Sequence, residues 1–136
     1  MLHATLTALA VALSGCGTGS SDEAQCIEVA VKEAVELKKE TTKLLPPKVA
    51  ETVSENHGCD SGGEGSYLIF ETDRSITGYK LLEPFRRHNW EALDAPTDSC
   101  SQCTAGVSKE TGGRIIDVWV YDRSDLPTME VVVQYR

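Results

Sequence analysis

Five cysteines and three histidines are the residues of this 136-residue chain best suited to chemistry. Cys100-Ser101-Gln102-Cys103 has the Cys-X-X-Cys spacing of a redox centre, which works when a helix N-terminus lowers the pKa of the first thiol. The residues that follow, Thr104 to Gly113, lack a helical pattern, and no βαβ unit precedes them. His57, Cys59, Cys100 and Cys103 would supply one nitrogen and three sulfurs for tetrahedral zinc, but their spacing matches no standard knuckle. Asp60-Ser61-Gly62-Gly63 matches the nucleophile segment of trypsin-like proteases. A chain this short cannot build the two barrels that bring histidine and aspartate to such a serine, and neither His57 nor His88 has a matching context. The sequence therefore assigns no catalytic residue, no metal and no cofactor.

Cys16 carries a different chemistry. Thr5 to Leu13 is a short apolar stretch of Ala, Leu, Val and Thr, suited to a signal-peptide core and well below the roughly 20 residues of a membrane span. It closes on Leu13-Ser14-Gly15-Cys16, the pattern of a bacterial lipobox, at which the leader is cut and the cysteine thiol receives a diacylglyceryl group. The basic residues of an ordinary leader are missing, since positions 1 to 5 offer only His3. Residues 1–15 read as a lipoprotein signal peptide, 16–21 as a lipidated flexible tether, and 22–136 as a single domain. Two or more acyl chains give stable anchoring, so the expected location is the outer face of the cell membrane.

The leader contains no charged side chain, so the mature chain keeps the full net charge of −8. That balance argues against nucleic acid, which selects a basic footprint. It also predicts repulsion from anionic headgroups, with lipid as the device that binds the membrane and the domain standing off its surface. The four remaining cysteines, Cys26, Cys59, Cys100 and Cys103, favour two disulfides in an oxidising compartment, with three connectivities open. Bridges reaching across the chain to Cys26 and Cys59 are preferred over a tight Cys100–Cys103 ring.

The elements that must position these residues follow from periodicity. Ser20 to Glu23 has capping-box spacing, and Ile27, Ala30, Val31, Ala34 and Leu37 recur at helical intervals. With Pro46-Pro47 as the stop, a helix is expected over about 22–44, with Cys26 pointing inward. Val49–Ser54 and Tyr67–Phe70 read as strands joined by a glycine-dense loop. Ser75–Asn89 reads as a helix that Pro84 must kink or shorten, closed by Asn89 in a left-handed C′ conformation and by Trp90. A short strand over Thr104–Lys109, a Thr111-Gly112-Gly113 turn, and two strong strands at Arg114–Tyr121 and Thr128–Tyr135 complete the chain. The expectation is an α+β fold, one or two helices packed on a mainly antiparallel sheet of about five strands. Trp90, Trp119, Tyr121 and Tyr135 are candidate core anchors, and a solvent-facing part of the 114–121 strand would offer a binding surface. Arg86, Arg87 and His88 form a small basic cluster at a helix end.

Four features together are similar to the small secreted lipoproteins of actinobacteria whose function is uncharacterised. They are the lipobox, a helix ending near a double proline, Cys59-Asp60-Ser61-Gly62-Gly63 before a strand, and a helix ending Phe85-Arg86-Arg87-His88-Asn89-Trp90. Asn89 in place of glycine, and Pro84 within the helix, depart from that pattern. The resemblance implies a lipoprotein and carries no activity with it. The reading is a membrane-tethered, non-enzymatic binding or accessory module that meets a surface protein partner. The alternative is an extracytoplasmic thiol–disulfide protein using Cys100 and Cys103.

Overall fold

The computed structural model describes residues 19–60, 65–94 and 102–136. Cys16 and Cys100 lie outside them, as do Ser61, Gly62 and Gly63. Six antiparallel strands form one sheet in the order β1-β2-β6-β5-β4-β3, with the described helices on one face. The α+β expectation holds, with six strands in place of about five.

Helix α1 spans Gly19–Thr41, and a 3-10 turn over Thr42–Leu44 continues it. The backbone is already helical at Gly19, so Ser20 lies inside the helix rather than capping it. Ala30, Ala34 and Leu37 are buried as their spacing predicts, whereas Ile27 and Val31 are not: they are 37% and 56% exposed. Pro46-Pro47 ends this helix and also starts the next. Pro47 opens α2 (Pro47–Ala50), because its fixed φ suits a first helical turn that needs no N–H. The strand expected at Val49–Ser54 is therefore displaced to β1, Ser54–His57, which pairs with β2, Ser66–Thr72.

The helix expected over Ser75–Asn89 is broken in two, α3 (Gly78–Leu81) and α4 (Glu83–Arg87). Pro84 sits in the first turn of α4, where its missing N–H breaks no ladder bond. Asn89 takes φ 64°, and the Trp90 N–H donates to the Phe85 carbonyl at 3.2 Å. The two rings then meet edge to face at 5.1 Å, so Trp90 closes the helix and enters the core at once. Directly afterwards comes a strand the periodicity did not reveal, β3 (Glu91–Leu93), three residues on the sheet edge.

From there the chain is a meander: β4 (Cys103–Thr111), β5 (Arg114–Tyr121) and β6 (Met129–Tyr135). Gly112 and Gly113, both at positive φ, make the two-residue turn that matches the twist of β4 and β5. Leu68, Phe70, Val118, Val120, Val131 and Val133 point into the core beneath the helices. On the opposite face Ile69, Val132 and Trp119 stand in one cross-strand row, each half-buried. Gly106 continues that row, and the Trp119 ring lies across it so closely that a Cβ there would meet it at 2.4 Å. Trp119 is thus an outer-face residue and not the core anchor its size suggests.

Candidate functional site

Cys26 is bonded to Cys59, joining α1 to the β1–β2 connection across 33 residues of sequence. This overturns the preference for bridges from Cys26 and Cys59 to the Cys100–Cys103 segment. The spatial reason is plain: β1 and β2 lie at one side of the sheet under α1, while Cys103 begins β4 near the other. Cys103 is itself disulfide-bonded and is buried. Cys59, with its sulfur committed to Cys26, is not available as a zinc thiolate, and His57 is exposed at the end of β1. Cys103 stands at the head of a strand, without the helix N-terminus that would stabilise a thiolate.

The bridge borders a cleft of about 800 Å3 between the first half of α1, the start of β2 and the ends of β5 and β6 that meet there. Its chemistry centres on Glu33, whose side chain is buried although α1 brings it in among apolar neighbours. The Ser66 N–H donates to one carboxylate oxygen at 3.0 Å, and Arg114 from β5 pairs with the other at 2.6 Å. Gly65, at φ 88°, makes the first contact possible. A Cβ on it would lie 3.1 Å from the Glu33 oxygen, and the left-handed backbone disfavours any other residue.

The same guanidinium stacks 3.6 Å above the ring of Tyr135, whose hydroxyl donates to Glu36 at 2.9 Å. Burial, and then the bond to the Glu36 carboxylate, push the Tyr135 phenol up to about 12. At the cleft mouth Arg136 grips Asp117 with two bonds of 2.9 and 2.8 Å, which raises the guanidinium pKa further. Gln25 and Gln134 add uncharged amides to the lining.

These groups share a property. Carboxylates are held by arginines, and the phenol is held protonated far above neutral pH. A general acid or base is most useful with a pKa near the working pH, which Tyr135 is not. Fixed donors and acceptors around a concave surface suit recognition of a polar ligand.

The basic cluster at the end of α4 is engaged locally. Arg86 stacks on Tyr79 at 4.1 Å, Arg87 pairs with Glu83, and a ring nitrogen of His88 meets the Pro84 carbonyl at 2.8 Å. Sequence reasoning missed Glu33 and Arg114. The signal was present: Cys26, Ala30, Glu33 and Leu37 form one inward series, and a carboxylate in an apolar register marks a buried charge that needs a partner. Compared with known protein families, with curated proteins and with solved structures, the chain matches none.

Proposed function

We propose that the chain is a lipid-anchored, extracytoplasmic binding or accessory module, similar to the small lipoproteins of actinobacteria, with the cleft beside Glu33 as its ligand surface. The observation that carries this reading is the Cys26–Cys59 bridge in a chain whose leader closes on Leu13-Ser14-Gly15-Cys16. A disulfide tying a helix to a loop belongs to an oxidising compartment, and the lipobox supplies the route there. The thiol of Cys16 carries the diacylglyceryl group, and the domain meets a partner protein or small polar ligand at the outer face of the membrane.

Intact-mass measurement tests the anchor: cleavage before Cys16 with added diacylglycerol is expected, and Cys16→Ser should move the protein out of the membrane fraction. An unmodified mass, or a serine variant retained as firmly as the parent, would sink the reading. A thiol count after mild reductant tests the redox alternative. Two resistant disulfides favour the module, whereas selective opening at Cys100 and Cys103 favours thiol–disulfide exchange.

A further inference from the structure

Helix α1 bears a second apolar stripe that the core does not use. Ile27, Val31 and Val35 follow one another every four residues and are 37%, 56% and 62% exposed. At about 100° per residue they share one shoulder of the helix, with exposed Ala24 in the same sector. Lys38 also falls there, and its ammonium pairs with Glu55 of β1. This fixes the direction of the shoulder: it overhangs β1, the edge strand of the sheet among the described residues. Of the carboxylates of the helix, Glu33, Glu36 and Glu40 lie on the opposite side, while Glu28, paired with Lys32, and exposed Glu23 flank the stripe. Glu33 meets Arg114, Glu36 meets Tyr135, and Glu40 meets Lys109.

We infer that this shoulder lies on the bilayer, with Ile27, Val31 and Val35 in the headgroup–acyl boundary. The inference rests on the lipid anchor proposed above and names a second contact with the same membrane. Its argument is the length of chain between the two. Only Gly17 and Thr18 separate Cys16 from the first described helical residue, Gly19, so Gly19 lies within about 11 Å of the lipidated cysteine. Ile27 lies a further ~12 Å along the axis and Val35 ~24 Å, at about 1.5 Å per residue. A helix pinned this close at one end, with branched apolar side chains along one side, is placed to lie flat with that side buried. The net charge of −8 opposes approach to an anionic surface, yet Glu33, Glu36 and Glu40 are turned away and engaged by Arg114, Tyr135 and Lys109, and Glu28 beside the stripe is paired with Lys32. The domain then touches the membrane along one helix, where charge balance alone predicts that it stands off.

The test uses the full lipidated protein in phosphatidylcholine vesicles, plain or brominated near the top of the acyl chains. Val31→Trp places an indole on the shoulder at a position exposed enough to accept it. The native Trp90 is buried, and Trp119 lies on the far face of the sheet, so wild-type emission should be the same in both vesicles. The emission added by the new indole should be lost in brominated vesicles. If the variant floats with the vesicles and keeps that emission, the shoulder contact is wrong while the anchor stands. If neither protein floats, the anchor fails and the contact with it. Sedimentation of the Cys16→Ser protein supplies a further arm. A dimer abolished by the pair Val31→Asp and Val35→Asp would assign the stripe to a second copy and overturn the membrane contact.

Discussion

Replacing Glu33 by alanine or by glutamine separates two forces that meet at one carboxylate. The Ser66 N–H is buried and donates to Glu33 at 3.0 Å, so alanine leaves that amide without its acceptor. A hydrogen bond to a charged group contributes about 1.5–3 kcal/mol, and the gain in helix propensity from alanine returns only a few tenths. Arg114, the other partner, has a side chain 46% exposed, which limits the ion pair to about 1 kcal/mol or less. Glu33→Ala should therefore destabilise by about 2–3 kcal/mol, lowering the melting temperature of a domain this size by about 10 °C. Glu33→Gln keeps a carbonyl acceptor for Ser66 and loses only the charge, so it should cost about 1 kcal/mol. Chemical denaturation gives both values, and amide exchange at Ser66 reads the bond itself. If glutamine is as costly as alanine, the charge pair with Arg114 dominates and the reasoning is wrong.

The Cys26–Cys59 bridge closes a span of 33 residues, for which loop-closure entropy gives about 3–4 kcal/mol. The double variant Cys26→Ser/Cys59→Ser should lose that amount in urea titration without reductant, and an unchanged midpoint would contradict it. For Tyr135 the folded-state pKa is raised above the free tyrosine value near 10, to about 12, by burial first and the Glu36 bond second. The sign follows: its stabilising contribution is complete below about pH 10 and is lost as pH climbs through about 12. In alkaline titration of phenolate absorbance, the component missing from Tyr135→Phe should have its midpoint near 12, and a midpoint near 10 would refute the placement.

The strands legible in the sequence are those whose signals agree at every level. Gly112-Gly113 supplies a turn at positive φ, and the residues after it are rich in β-branched and aromatic types, so β5 begins at Arg114 and ends at Tyr121 as the sequence predicts. Asn89 was equally legible because few non-glycine residues serve a left-handed helix end. The misplacements have physical causes. Proline next to proline marks a helix end, but the second can also open a helix, and α2 took the residues expected in a strand. Helical periodicity locates apolar stripes without saying which is buried. Helix α1 has two, Ala30-Ala34-Leu37 and Ile27-Val31-Val35, and only the first enters the core. Strand β3 was invisible because Glu91-Ala92-Leu93 has no pattern of its own and exists only by pairing with Gly106 to Ser108. Cysteine pairing depended on strand order, which composition cannot supply.

One helix thus has three surfaces with separate duties. Ala30, Ala34 and Leu37 hold the sheet, Gln25, Val29 and Glu33 wall the cleft, and Ile27, Val31 and Val35 form the free shoulder. Val29 and Val31, at the centres of the last two, point about 160° apart at 100° per residue. The Cys26 bridge and the Glu33 network fix the cleft side to the β1–β2 connection and to β5, which leaves the shoulder side open. A helix laid on the bilayer by its shoulder therefore turns the cleft away from the lipid. Under the proposed anchor, the short tether would orient the proposed ligand surface rather than obstruct it. Moving the apolar residues one position toward the C-terminus of α1 would rotate the proposed contact by 100° and bring the cleft mouth toward the headgroups, so the two proposals together require the present register.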